Sequence, residues 1–310
     1  MAEQRREPQR DMHSAASRES RPVAGREPHR ERTGARWQRW LVTAPPSVFL
    51  VLFFLLPALM MAAASVRHPG EFGGLAPWWP LRGVPGGPDT GLTPDSYVFL
   101  FSDWVFALVF AKSFAVAAVT TLVCLALGYP LALLIARSPR ARRDLMVLLL
   151  ILPFASNLLI RVNAWIIVLG PLELLYSSGA VMIGMVYVHL PFMVLPLYTN
   201  LEKHDPVLLD AARDLGATRW TTFRRITWPL SLPGVYSGSA LVFIPVLGMF
   251  AIPELLGGTG DVLVGNLIKE QFLDNRDWPF GASLSIGLTV LVLAAAGLAA
   301  LAARPHRKGV

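Results

Sequence analysis

Apolar residues in this chain neither alternate with polar ones nor recur at the spacing of an amphipathic surface helix. They come in long, predominantly apolar blocks, at about 41–66, 107–136, 145–169, 179–200, 233–256 and 282–303. Each block meets or exceeds the roughly 20 residues a helix needs to cross the hydrocarbon core of a bilayer. Lipid offers the backbone no hydrogen-bonding partner, so such segments must pair their own N–H and C=O groups and are expected as helices, not strands. Pro45, Pro46, Pro57, Pro130, Pro153, Pro191, Pro196 and Pro245 fall within the blocks and predict kinks. The pattern therefore predicts an all-α membrane protein of six transmembrane helices. Residues 1–36 are different: rich in Arg, Glu, Pro, Ser and Gly, they hold too little apolar surface to offset chain entropy. They are expected to form a disordered basic arm, with 37–310 as the membrane domain. The apolar run after the arm is too long for a signal peptide and has no clear small-residue cleavage site.

Composition agrees with the pattern. Hydrophobic residues make up 54% and charged residues 16%, against about 25% charged in soluble domains. The net charge of +7 would suit nucleic acid, but no nucleic-acid motif is present and the charge lies at the ends and in the links between blocks. Its placement encodes orientation. Arg32, Arg36 and Arg39 precede the first block; Arg137, Arg140, Arg142 and Arg143 fill the second link. Lys203, Arg213, Arg219, Arg224 and Arg225 fill the fourth, and Arg304, Arg307 and Lys308 follow the last. The alternate links are poorer in Lys and Arg, so the positive-inside rule puts both termini in the cytoplasm. Cys124 lies within an apolar run, where a single thiol is read as a small buried hydrophobe.

The fourth link, over 202–229, is longer than a connection requires. Leu208, Leu209, Ala212 and Leu215 recur at helical spacing, and Asp205 with Pro206 signals a helix start. Gly216 permits a sharp turn. A second short amphipathic helix is then expected, carrying Trp220, Phe223 and Ile226 on one face, with Pro229 and Pro233 ending it and opening the next span. Two helices broken at a glycine make a rigid cytoplasmic knob that a partner can grip. A plain amphipathic helix lying on the membrane surface is the simpler alternative.

The succession Asp210, Ala211, Ala212, then Gly216, then Ile226 and Pro229 resembles the EAA loop of ABC importer permeases. The resemblance implies a type I ABC importer permease fold in a bacterial inner membrane. It also implies that these residues form a coupling helix docking into a groove of a separate ATPase subunit dimer. Asp210 stands where the family usually has Glu, and Trp228 where Leu is usual. No G-x-x-x-x-G-K-[S/T] loop occurs in the chain, so ATP is expected to bind the partner and no cofactor is expected here. Further stretches resemble the spermidine/putrescine branch of that family: ILPFASNLLIR at 151–161, LPFMVLPLY at 190–198, PELLGG at 253–258, GNLIKEQF at 265–272 and RDWPFGASLS at 276–285. The branch implies a second permease subunit and a periplasmic substrate-binding protein as partners. The segment Gly170–Gly179 is shorter than the outer loop usual in the branch.

Within this frame no residue is expected to be catalytic, since the mechanism is conformational, and no metal ligands are expected. Candidates for the substrate path are Glu254, at the end of the fifth block after Pro253, and Asn157 with Arg161, one turn apart in the third. An ionisable group at membrane depth is costly unless it faces a cavity or a partner. Arg161 pairs with Glu254, lines the path or snorkels outward. Asp261, Glu270, Asp274 and Asp277 outnumber Lys269 and Arg276 in the fifth link, a bias compatible with a cationic solute and equally with solvated loop charges. His189 is expected to make an interhelical hydrogen bond and Lys112 to anchor at the interface. The alternatives are an importer of another solute (iron, thiamine or molybdate) and, from other classes, a multispan membrane enzyme or a channel. An enzyme would need an interior cluster of His, Asp or Ser, which the sequence does not display.

Overall fold

The computed structural model describes residues 43–77 and 91–302, and it resolves into two compact units, to Leu55 and from Leu56 onward. The expected arm at 1–36 and the basic tail at 304–308 lie outside the described residues. Among the described residues the chain is helical, with two isolated bridges, Arg67 with Leu92 and Pro69 with Leu75, and no strand. In the first unit the chain is helical from Thr43, with a π turn over Val51–Leu55.

The second unit holds α1 (Leu56–Ala64), α2 (Asp95–Ser102), α3 (Trp104–Arg137), α4 (Arg140–Ile151), α5 (Leu158–Leu169) and α6 (Ser178–Leu201). They are followed by α7 (Pro206–Asp214), α8 (Arg219–Leu247), α9 (Ala251–Leu256), α10 (Val264–Lys269) and α11 (Trp278–Ala302). Five helices are long and apolar enough to cross a membrane: Thr43–Ala64, α3, α6, α8 and α11.

The third expected span, 145–169, is bent, as Pro153 predicts, and more sharply than a kink. It is the pair α4 with its 3-10 extension to Ala155, and α5, bent by 95°. Two local causes act together. Pro153 lies in the 3-10 turn, and Asn157 is extended and accepts the Leu159 N–H at 2.9 Å, so it caps a new helix instead of continuing the old one. The fifth block also departs from expectation. The second helix of the 202–229 link does not stop at Pro229 and Pro233: it runs unbroken from Arg219 to Leu247 through a π turn at Phe223–Thr227. Pro229 falls in the first turn after that π turn, where its missing N–H is tolerated. The helix ends at Gly248, and Glu254 belongs to the separate helix α9.

The core is the packing of α3, α6 and α8 through small residues. Ala117, Cys124 and Ala132 of α3 meet Met185, Met193 and Leu197 of α6 and Val242 of α8, all buried. A Cβ on Gly238 would lie 2.9 Å from Met193 Sδ, and one on Gly128 3.1 Å from Met193 Cγ. Between helices surrounded by lipid, close backbone approach of this kind supplies the van der Waals contact that association depends on. Tyr129 Oη shares a 2.9 Å hydrogen bond with Ser231 Oγ, tying α3 to α8 in the buried interior. His189 is buried too, but its Nδ1 sits 2.8 Å from the Met185 carbonyl of its own helix. The bond is intrahelical, not interhelical. A second cluster (Leu100, Phe110, Val264, Phe280 and Leu284) joins α2, α3, α10 and α11, with Phe99, Phe106 and Phe280 in edge-to-face contact at 5.2–5.4 Å.

Candidate functional site

At one end of the bundle the 202–229 link folds into the expected knob. Asp205 accepts the Val207 N–H at 2.9 Å and caps α7. Gly216 follows the helix with φ +80°, the left-handed backbone that costs glycine nothing. A Cβ there would meet nothing within 4 Å, so the requirement for glycine is conformational, not spatial. Thr218 then caps α8, accepting the Thr221 N–H at 3.2 Å. Asp210 pairs with Arg213 one turn later at 3.1 Å, both side chains exposed. Ala211 is exposed and Ala212 half-buried, while Ile226 is half-buried and Pro229 exposed at the base.

The informative feature of the knob is what it leaves uncovered. Val207 is 67% exposed, Leu208 50%, Leu215 89% and Trp220 68%. Leu208, Leu215 and Trp220 are among the positions at which the link was expected to be amphipathic, yet only part of its apolar surface faces the bundle. Trp220 stacks on Phe223 at 5.7 Å, and Phe223 in turn meets Tyr129 edge-on at 5.9 Å, so the exposed indole is continuous with the core.

A second polar region gathers α9, α10 and the loop 257–263. Glu254 is half-exposed, and its Oε1 accepts from Lys269 Nζ at 2.9 Å; Lys269 also reaches Asp274 at 3.5 Å. The pairing with Glu254 is the main reason the Lys269 ammonium is held above its usual range. Arg161 is therefore not the partner of Glu254. It lies 5.4 Å over the Phe154 ring and, with Ile160, Ala164, Trp165, Val168 and Tyr187, lines an apolar pocket of about 290 Å³. Although α9 packs against α5, the structure does not join Asn157, Arg161 and Glu254 into one polar site: Asn157 is spent on capping and Glu254 on Lys269.

Asp261, which sequence reasoning passed over as a loop charge, is the hub of the region. Its carboxylate, only 12% exposed, accepts from Ser178 Oγ (2.6 Å), Gly258 N–H (3.1 Å) and Lys112 Nζ (3.5 Å), and Lys112 also donates to the Gly260 carbonyl. Burial pushes the Asp261 carboxyl up, but these donors outweigh it and hold it below the ordinary 3.8. Lys112 is thus a tie from α3 to the 257–263 loop. The acids counted in this link are largely engaged: Asp274 with Lys269, and Asp277 with the Phe280 N–H at 3.1 Å. The short 170–178 connection turns on Glu173 and Tyr176, both at positive φ, and the Tyr176 carbonyl packs so closely on Gly258 that a Cβ there would lie 2.7 Å away.

Membrane-length helices around a tightly packed core, with a capped and apolar-tipped knob at one end, define an integral membrane component. Comparison with known proteins gives its family. Residues 128–305 match the binding-protein-dependent transport system inner membrane component, and the chain belongs to that family. It is 41% identical over 263 residues to the spermidine/putrescine transport system permease protein PotB of Escherichia coli, covering 79% of this chain and 90% of that one. Two solved structures share the fold. One is a bacterial ABC transporter involved in the import of the acidic polysaccharide alginate, at TM-score 0.62, 17% identity and coverage of 89% and 98%. The other is the alginate transporter in complex with its pentasaccharide-bound periplasmic protein, at TM-score 0.62, 16% identity and the same coverage. The protein is a transport permease of the inner membrane and not an enzyme.

Proposed function

We propose that this chain is the permease subunit of an ATP-driven polyamine importer, passing spermidine or putrescine from a periplasmic binding protein to the cytoplasm. The observation that carries this reading is the 41% identity extending over 90% of a permease named for that transport system. In the proposed mechanism the knob docks on a separate ABC ATPase dimer. Asp210, Ala211, Ala212 and Gly216 form the contact, and Ile226 and Pro229 join it to α8. The exposed side chains of Val207, Leu208, Leu215 and Trp220 support this reading, because apolar surface of this kind is covered by a protein or membrane contact and these side chains sit on the link that resembles the coupling loop. Because α7 turns directly into α8, and α8 runs unbroken through the core, a displacement of the knob on ATP binding is delivered to the bundle as rotation of one rigid helix. A second permease subunit completes the path, and both termini lie in the cytoplasm.

Glu254 is the cation contact of the path. Its carboxylate is already occupied by one alkylammonium, that of Lys269, and a substrate amine takes the same place by exchange. Arg161 and Asn157 flank the path without binding the amines. The test is uptake of labelled spermidine and putrescine in a strain deleted for this gene and freed of redundant systems. Loss of uptake, restored by the intact gene, is expected. Unchanged uptake of both solutes contradicts the assignment, and restoration of molybdate or iron uptake instead would select the alternative solute.

A further inference from the structure

Behind the knob lies a pocket of about 670 Å³ whose lining joins three elements. Arg137 comes from the last turn of α3, Leu209 and Arg213 from α7, and Arg219, Thr222 and Thr227 from the start of α8. The positive charge is not matched locally: Asp210 answers Arg213, while Arg137 and Arg219 have no ion pair among the described residues. Positive charge near a span end is by itself only a mark of orientation. The second observation is Thr227. It is 3% exposed, and its hydroxyl has no hydrogen-bond partner. A helical threonine normally donates to a carbonyl one turn back. Here the Phe223 carbonyl one turn back accepts the Trp228 N–H, and the Thr227 hydroxyl stays unpaired and enclosed at the wall of the pocket that the residue helps to line. A buried unpaired hydroxyl is unfavourable unless something else fills that role.

We propose that this pocket binds a phosphate-bearing anion, either the headgroup of an anionic phospholipid or soluble phosphate. Phosphate oxygens accept from guanidinium groups in paired geometry and from a hydroxyl donor at once, which is the set the pocket supplies. Basic pockets at the end of a membrane span are placed at headgroup depth. A bound anion ties the end of α3 to both helices of the knob and so stiffens the joint through which the knob moves α8. Anionic lipid then acts as a permissive ligand for coupling.

The test uses the assembled transporter, purified in detergent and then placed in phosphatidylcholine nanodiscs with or without phosphatidylglycerol. Native mass spectrometry of the wild type is expected to show retained phosphatidylglycerol, and Arg137→Gln/Arg219→Gln to retain it about tenfold more weakly. Thr227→Val, which removes only an unpaired hydroxyl, is expected to weaken retention about threefold while melting no lower than wild type. A thermal shift of the wild type by inorganic phosphate in pure phosphatidylcholine, absent in the double variant, assigns the site to free phosphate. Should the double variant destabilise the complex, Arg219→Gln alone carries the test. Equal lipid retention in every variant, with no phosphate shift in the wild type, overturns the proposal.

Discussion

The knob over 206–222 and the braced region over 254–277 are both short helices joined by turns, and both are rich in polar residues, yet they are built on opposite principles. The polar contacts that shape the knob are all local: Asp205 and Thr218 at helix starts, Gly216 at the turn, and an ion pair within one helix. It leaves large apolar side chains in the open. The other region is tied across the bundle, with Asp261 joining α3, the start of α6 and its own loop, and with Lys269 joining α10 to α9. A surface finished by its own contacts has no need of a partner. A surface held in shape but left uncovered suits the docking role proposed for it.

The largest expected effect tests the bracing. Asp261→Ala removes a nearly buried carboxylate from three donors, and the permease is expected to lose about 2 kcal/mol of stability, read from the unfolding of purified protein. The same carboxylate sets a pH dependence. Its folded value lies below 3.8, so its stabilisation is complete above the ordinary carboxylate range and is lost as pH falls through that lowered value. Wild-type melting should therefore drop on strong acidification by more than that of Asp261→Asn. An equal drop would show that Asp261 contributes nothing in the folded state.

Next comes the turn of the knob. Because the space around Gly216 is open, the cost of a substitution lies in its positive φ, about 1–2 kcal/mol for a β-branched side chain and less for Asn. Gly216→Val is expected to lower transport about tenfold, while Gly216→Asn keeps most of it. Equal loss in both would mean that size, not backbone conformation, matters there. The smallest effect is at Glu254, whose half-exposed pair with Lys269 is screened by solvent. Glu254→Gln is expected to raise the KM for polyamine uptake about threefold, with kcat unchanged. A fall in kcat at constant KM would remove Glu254 from substrate contact.

The spans were legible because a bilayer demands continuous apolar length, and the ends of α3 and α6 fall within three residues of those expected. The knob was legible because its caps, its glycine and its helical spacing are all local signals. Pro153 signals a kink in its span, but the size of the bend, 95°, comes from Asn157 capping a new helix, and as a residue in an apolar run Asn157 reads equally well as part of a substrate path. The passage of α8 through Pro229 and Pro233 was missed because those prolines stop a regular helix, and the π turn before them is not encoded in any simple spacing. Asp261 and Lys269 were invisible as partners for a different reason. Lys112 and Asp261 lie 149 residues apart, and only the packing of α3, α6 and the 257–263 loop brings them together.

The central claim is that the exposed apolar tip of the knob is the docking surface for the ATPase subunit. Its most direct test is co-purification of the ATPase with the permease carrying Leu208→Glu and Leu215→Glu, beside a melting curve of the permease alone. Both side chains are half or more exposed, so permease stability is predicted to be unchanged while the ATPase is lost from the complex. Stoichiometric retention of the ATPase by this variant would contradict the account.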